Sequence, residues 1–117
     1  VKNQPVDDRG ARICREVTGW PGVSTAVGEY GETEFIVRGR EIGHVHGSRQ
    51  ADIPFPRRLR DELVDAGRTG PHHIHADSGW TTLYIRSDAD ADEVVAQLRL
   101  NYDRVTARAA RSAAASD

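Results

Sequence analysis

The feature that most constrains this chain is an alternation of apolar and polar residues on either side of Gly39-Arg40. Thr33–Arg38 and Glu41–His46 both read as strands, with period-two patterning and β-branched or aromatic residues. A two-residue connection with glycine first suits a tight type II′ hairpin turn. That register sets Arg38 against Glu41, Val37 against Ile42, Phe35 against His44, and Thr33 against His46. Side chains alternate faces along a strand, so Phe35, Val37, Ile42, His44 and His46 are expected on one side. That side is apolar at the turn end and imidazole-rich at the other, with Glu41 on the opposite face.

Other elements arrange themselves around this hairpin. Asp7 or Asp8 can cap a helix whose buried face is Ile13, Cys14 and Val17. Gly19 and Pro21-Gly22 end it, with Trp20 as a cap over its last turn. Val23–Tyr30 reads as a first strand. Gly47–Gln50 reads as a turn, and Ala51–Phe55 as a short extended piece that Pro54 and Pro56 keep out of a sheet centre. Pro56 suits a first helical position, and Leu59, Leu63 and Ala66 mark a helix face ended by Gly67. Residues 68–78 form a loop. In Gly79–Arg86, Trp80, Thr82 and Tyr84 share one face and Thr81, Leu83 and Ile85 the other, as in a central strand. Ser87–Asp90 caps a last helix with the stripe Val94, Val95, Leu98, Tyr102 and Val105. The expected architecture is a single α+β domain over residues 7–106, with an antiparallel sheet of about four to five strands packed against about three helices. Residues 1–6 are expected to be a flexible leader, and the alanine-rich residues 107–117 a frayed tail.

Composition excludes several function classes. The 117 residues make one domain. Sixteen basic against eighteen acidic residues give a net charge of −2, which argues against a dedicated nucleic-acid binder. No apolar run approaches the ~20 residues of a membrane span, so no membrane partner is expected. Cys14 is the single cysteine, which excludes an internal disulfide and a cysteine-built zinc site. A bacterial-type cytoplasm is the expected compartment, and the oligomeric state stays open.

All five histidines fall in two short clusters, His44 and His46, then His72, His73 and His75. His44 and His46, two apart on a strand, present both rings to one face. The loop can bring a third imidazole. Three neutral imidazoles and an open position suit zinc, and imidazole also suits iron, copper and nickel. Nearby acids are Asp52 and Asp77. A cupin barrel requires a glutamate four or five residues after such a pair, where this chain has Gln50 and Ala51. Three readings follow: histidines that bind or transform a small molecule with no cofactor, a divalent metal site on His44, His46 and His73, or a non-catalytic binding module whose histidines stay scattered.

Arg40–His46, Ala51–Pro56, Gly67, Pro71-His72-His73, Ser78-Gly79-Trp80, Leu83-Tyr84 and Tyr102 occur in an order that resembles the luciferase-like domain. That domain is shared by fungal luciferases and many small bacterial proteins, and the bacterial members are the nearer match. The resemblance spans about residues 10–105 and places His44, His46, one of His72 or His73, Trp80 and Tyr84 on the family pattern. The fungal enzymes oxidise a hydroxylated pyrone with molecular oxygen and no added cofactor. They are longer and carry a membrane anchor, which is not expected here. The resemblance implies an enolic or aromatic small molecule that loses a proton to a base of near-neutral pKa, a task suited to histidine. Either His44 or His46 is the candidate base, with His73 as the third catalytic residue. His72, Trp80, Tyr84, Arg40, Phe35 and Asp77 are candidates for binding the substrate. Arg40 is an anion stabiliser or a plain turn residue, and Phe35, Ile42 and Trp80 are the expected walls of a dry pocket. Residues 80–102 also resemble double-wing domains suspected of binding nucleic acid or partners, against which the net charge stands.

Overall fold

The computed structural model describes residues 8–76 and 78–116. Among the described residues the order is α1 (Arg9–Thr18), β1 (Ser24–Val27), β2 (Thr33–Val37), β3 (Arg40–His46), β4 (Gln50–Pro54), α2 (Arg57–Asp65), β5 (Gly70–Pro71), β6 (Trp80–Tyr84) and α3 (Asp88–Ser116). The strands form one antiparallel sheet in the order β1-β2-β3-β4-β6-β5. This is the expected α+β class. The count rises to six because Gly70–Pro71, read as loop, pairs with β6 as a two-residue edge strand.

The hairpin that dominates the sequence forms, in a different register. Val37 pairs with Arg40, so the turn residues are Arg38 and Gly39. Both have positive φ, 55° and 74°, as a type I′ turn requires. Ile36 pairs with Glu41 but Phe35 pairs with Gly43, leaving Ile42 as an extra residue on β3. This bulge inverts the face of everything beyond it. Ile42 and Val45 are both buried in the core, while Glu41, His44 and His46 share the other face. The expectation that Glu41 lies opposite the histidines, and Phe35 beside them, is therefore corrected. Gly43 absorbs the kink with φ 152°. A Cβ there would lie 2.6 Å from Leu98 Cδ2, so β3 and α3 meet as closely as glycine allows.

β4 also departs from expectation, since it lies inside the sheet between β3 and β6. Pro54 is its last residue, opposite Trp80, where a missing N–H costs least. Backbone bonding resumes one residue later, with Phe55 N–H donating to Gly79 C=O at 3.0 Å.

The core lies between one sheet face and the helices. Ile13 and Val17 of α1 and Val94, Leu98 and Val105 of α3 cover Phe35, Val37, Ile42, Val45, Ile53, Leu83 and Ile85, and Leu63 of α2 joins them. Trp20 is part of this core rather than a helix cap: its ring sits 5.3 Å from that of Tyr102. Asn101, fully buried on α3, donates to the carbonyls of Ile42 (3.0 Å) and Pro54 (2.8 Å). The bulge removes the Ile42 carbonyl from regular pairing, and Asn101 satisfies it. Among the described residues, no helix is long and apolar enough to cross a membrane.

Candidate metal centre

The second face of the sheet is polar at its middle. Cross-strand partners share a face, and the ladder sets His44 opposite Asp52, His46 opposite Gln50, and Asp52 opposite Thr82. The loop after β5 folds over this face with His72, His73 and His75. Thr82 Oγ1 accepts the His73 backbone N–H at 3.2 Å, and Arg60 donates to the Ala76 carbonyl. The loop is thus tied to β6 on one side and to α2 on the other.

Asp52 is the centre of the arrangement, its side chain almost wholly buried. Its Oδ2 lies 3.0 Å from His46 Nε2, 3.1 Å from His44 Nε2, 3.7 Å from His73 Nε2 and 3.9 Å from His72 Nε2. Its Oδ1 accepts a hydrogen bond from Thr82 Oγ1 at 2.7 Å. Four imidazoles from two distant parts of the chain therefore converge on one carboxylate oxygen. Histidines scattered as in a non-catalytic module are not what the fold produces. A cavity of about 360 Å³ opens above them, with Tyr30, Glu32 and Ile74 at its rim.

The ring nitrogens distinguish the four histidines. His44 Nδ1 lies 2.6 Å from Glu41 Oε2, which places a proton on Nδ1 and aims Nε2 at Asp52. A carboxylate behind an imidazole is the usual support of a metal-ligating histidine. His72 is the reverse. Its Nδ1 accepts the backbone N–H groups of Ile74 (3.1 Å) and His75 (3.0 Å). A neutral imidazole that accepts at Nδ1 carries its proton on Nε2, so the Nε2 facing Asp52 is a donor and has no lone pair to offer.

The charges of the cluster follow from this packing. Burial by itself pushes the His44 imidazolium down, but the Asp52 and Glu41 carboxylates outweigh it and its pKa is raised to about 9. Burial favours the neutral acid at Asp52, but hydrogen bonds from His44, Thr82 and His46 hold its carboxyl far below the usual range. His72 is pushed down, first by burial and then by the neighbouring imidazoles His73, His75 and His44, against the pull of Asp52.

Other expected site residues divide clearly. Trp80 is at the centre, its ring 5.3 Å from that of His44. Tyr84 shares the face but stands over Gln50, 42% exposed and stacked under Arg86 at 5.0 Å, away from the histidines. Phe35 and Ile42 are fully buried core residues on the opposite face, away from the cavity over the histidines. Arg40 opens into a neighbouring cleft. Asp77 lies outside the described residues. Sequence reasoning named Asp52 as a nearby acid without assigning it a role, and it missed Glu41 and Thr82 as parts of the site. Carrying the pairing across the turn after His46 would have found Asp52, because that turn sets it opposite His44. Glu41 had no such signal, since the bulge that turns it is tertiary.

An antiparallel sheet with helices on one face and a histidine–carboxylate centre on the other defines a small α+β domain with a candidate site for a metal or small molecule. The family model of the Luciferase domain matches residues 39–101, just over half the chain and every residue of the centre. The chain belongs to the Luciferase domain family. No curated protein and no solved structure matches it.

Proposed function

We propose that the Asp52 cluster holds a divalent first-row metal ion through His44, His46, His73 and Asp52, and that the protein binds a small enolic or aromatic molecule in the cavity above it. The observation that carries this reading is the convergence of four imidazole nitrogens within 4 Å of Asp52 Oδ2. Donors about 2.0–2.2 Å from a common ion stand roughly 3.0–3.5 Å from one another, close to the distances of His46 Nε2 and His44 Nε2 from Asp52 Oδ2, 3.0 and 3.1 Å, with His73 Nε2 farther out at 3.7 Å. His44, His46 and Asp52 form one potential ligand group, and Asp52, His72 and His73 a second. The Nδ1 contacts of His72 favour His73 as the loop's contribution.

The donor set of imidazoles and one carboxylate suits zinc, manganese or iron better than the all-oxygen sites of calcium or magnesium. Such an ion polarises a bound oxygen and lowers its pKa. The protein's own residues do the rest. Glu41 and Thr82 orient His44 and Asp52, Trp80 packs against the His44 and His72 rings and holds them in place, Ile74 offers the cavity an apolar contact, and His72 presents a neutral Nε2–H to a bound ligand. A metal-free reading makes His44 or His46 the base. It is less well supported for His44, which between two carboxylates keeps its proton at neutral pH and makes a poor base there. Family membership supports oxidation by molecular oxygen as the reaction class to assay.

The test is metal analysis of untagged protein, with zinc, manganese and iron(II) each titrated in competition with a chromogenic chelator. One tightly held ion per chain is expected, lost in Asp52→Asn and His73→Ala and retained in His72→Gln. Sub-stoichiometric binding of all three metals after dialysis would reject the reading.

A further inference from the structure

Where the ends of β3 and β4 pass under the C-terminal half of α3, a second cleft of about 510 Å³ opens between the sheet and the helix. Arg40, Arg104 and Arg108 line it, together with Phe55, Trp80 and Glu41. Among the described residues, none of the three guanidinium groups has a carboxylate partner. Arg104 Nε donates to Asn101 Oδ1 at 3.0 Å, which fixes its direction without neutralising it. Glu41 is engaged by His44. Burial, then the charges of Arg40 and Arg108, push the Arg104 pKa down, as expected of like charges held together around a shared space. A chain with a net charge of −2 has acids to spare, yet the cleft keeps three cations unpaired beside two aromatic rings.

We infer that this cleft binds the carboxylate of a small aromatic acid, with the guanidinium groups on the anion and the ring against Trp80. Guanidinium matches a carboxylate in planar, two-point hydrogen bonding, and the indole and Phe55 give the ring an apolar surface. Trp80 and Glu41 each face the metal centre as well: the Trp80 ring is 5.3 Å from His44, and Glu41 holds His44 Nδ1. A ligand anchored here by its acid lies with its ring beside the histidine cluster. That last consequence rests on the proposed metal centre; the binding itself does not.

The experiment is calorimetric titration of the untagged, metal-stripped chain with benzoate, with its neutral isostere benzamide, and with inorganic phosphate. Benzoate is expected to bind at least about tenfold more tightly than either of the others, the range of a charge-assisted contact. Arg40→Gln and Arg108→Gln, both at exposed positions, are each expected to weaken benzoate about tenfold with unchanged melting temperature. Equal affinity for benzoate and benzamide, or variants that bind like the parent, would overturn the inference. Phosphate binding as tightly as benzoate would overturn the aromatic acid as ligand. Because the titration contains no metal, failure of the metal reading leaves its result unaffected.

Discussion

Asp52 stands directly across the β3–β4 ladder from His44, with its Oδ2 3.1 Å from His44 Nε2. The pair joins a buried carboxylate to an imidazole that a second carboxylate, Glu41, holds from behind. The polar centre is therefore built on two neighbouring strands, where backbone pairing fixes positions well, and completed by a loop.

Asp52→Asn keeps the shape of the side chain and removes its charge. We expect zinc affinity to fall at least about 100-fold, because a ligand is lost where even a supporting contact is worth 10- to 100-fold. Zinc at about 100 times its dissociation constant should stabilise the parent protein by about 2.7 kcal/mol and the variant hardly at all. Chemical denaturation with zinc and with a chelator measures both.

Glu41→Gln tests the supporting contact alone. The amide can present its NH₂ to His44 Nδ1 and so favour the wrong tautomer. We expect a 10- to 100-fold loss of metal affinity with the same stoichiometry. An unchanged affinity would show that Glu41 does not support His44 as a metal ligand.

The metal-free protein should show a defined pH profile. The folded pKa of His44 is about 9, above the ordinary 6.5, so its contribution to stability is fully present below about pH 6.5 and is lost as pH rises through about 9. That loss is at most roughly 3 kcal/mol. Asp52 has the opposite sign. Its folded pKa is depressed, so its contribution is present above about pH 4 and lost as pH falls. Urea midpoints should therefore be highest between about pH 4 and 6.5, and His44→Gln should flatten the alkaline limb.

Gly43→Ala places a methyl group where φ is 152° and Leu98 Cδ2 would be 2.6 Å away. We expect a loss of roughly 2–4 kcal/mol from backbone strain and overpacking together. Since Gly43 adjoins His44, metal affinity should fall as well. A thermal melt indistinguishable from the parent would contradict the bulge.

Asn101→Leu leaves the Ile42 and Pro54 carbonyls without their donor. Each unsatisfied buried group costs about 1–3 kcal/mol, so we expect a loss of at least about 2 kcal/mol by denaturant unfolding. Regular helix periodicity marks Asn101 as one more polar residue of α3. Its role exists only because the bulge frees a carbonyl beneath it.

Local sequence determined much of this protein. Period-two and helical patterning gave the fold class, the order of the main elements and the face of β6 that carries Trp80 and Thr82. Two clusters of histidine marked the centre, because an imidazole pair two apart on a strand must share a face whatever the register. Tertiary structure decided the rest. The Arg38-Gly39 turn and the extra residue Ile42 depend on packing against Leu98 and Asn101, and they moved Glu41 to the histidines and Phe35 away from them. Asp52 became the hub because β4, despite its proline, was drawn into the sheet interior between β3 and β6. A pattern of residues records which side chains share a face; a bulge, a register or the fold of a loop is settled by contacts with residues far along the chain.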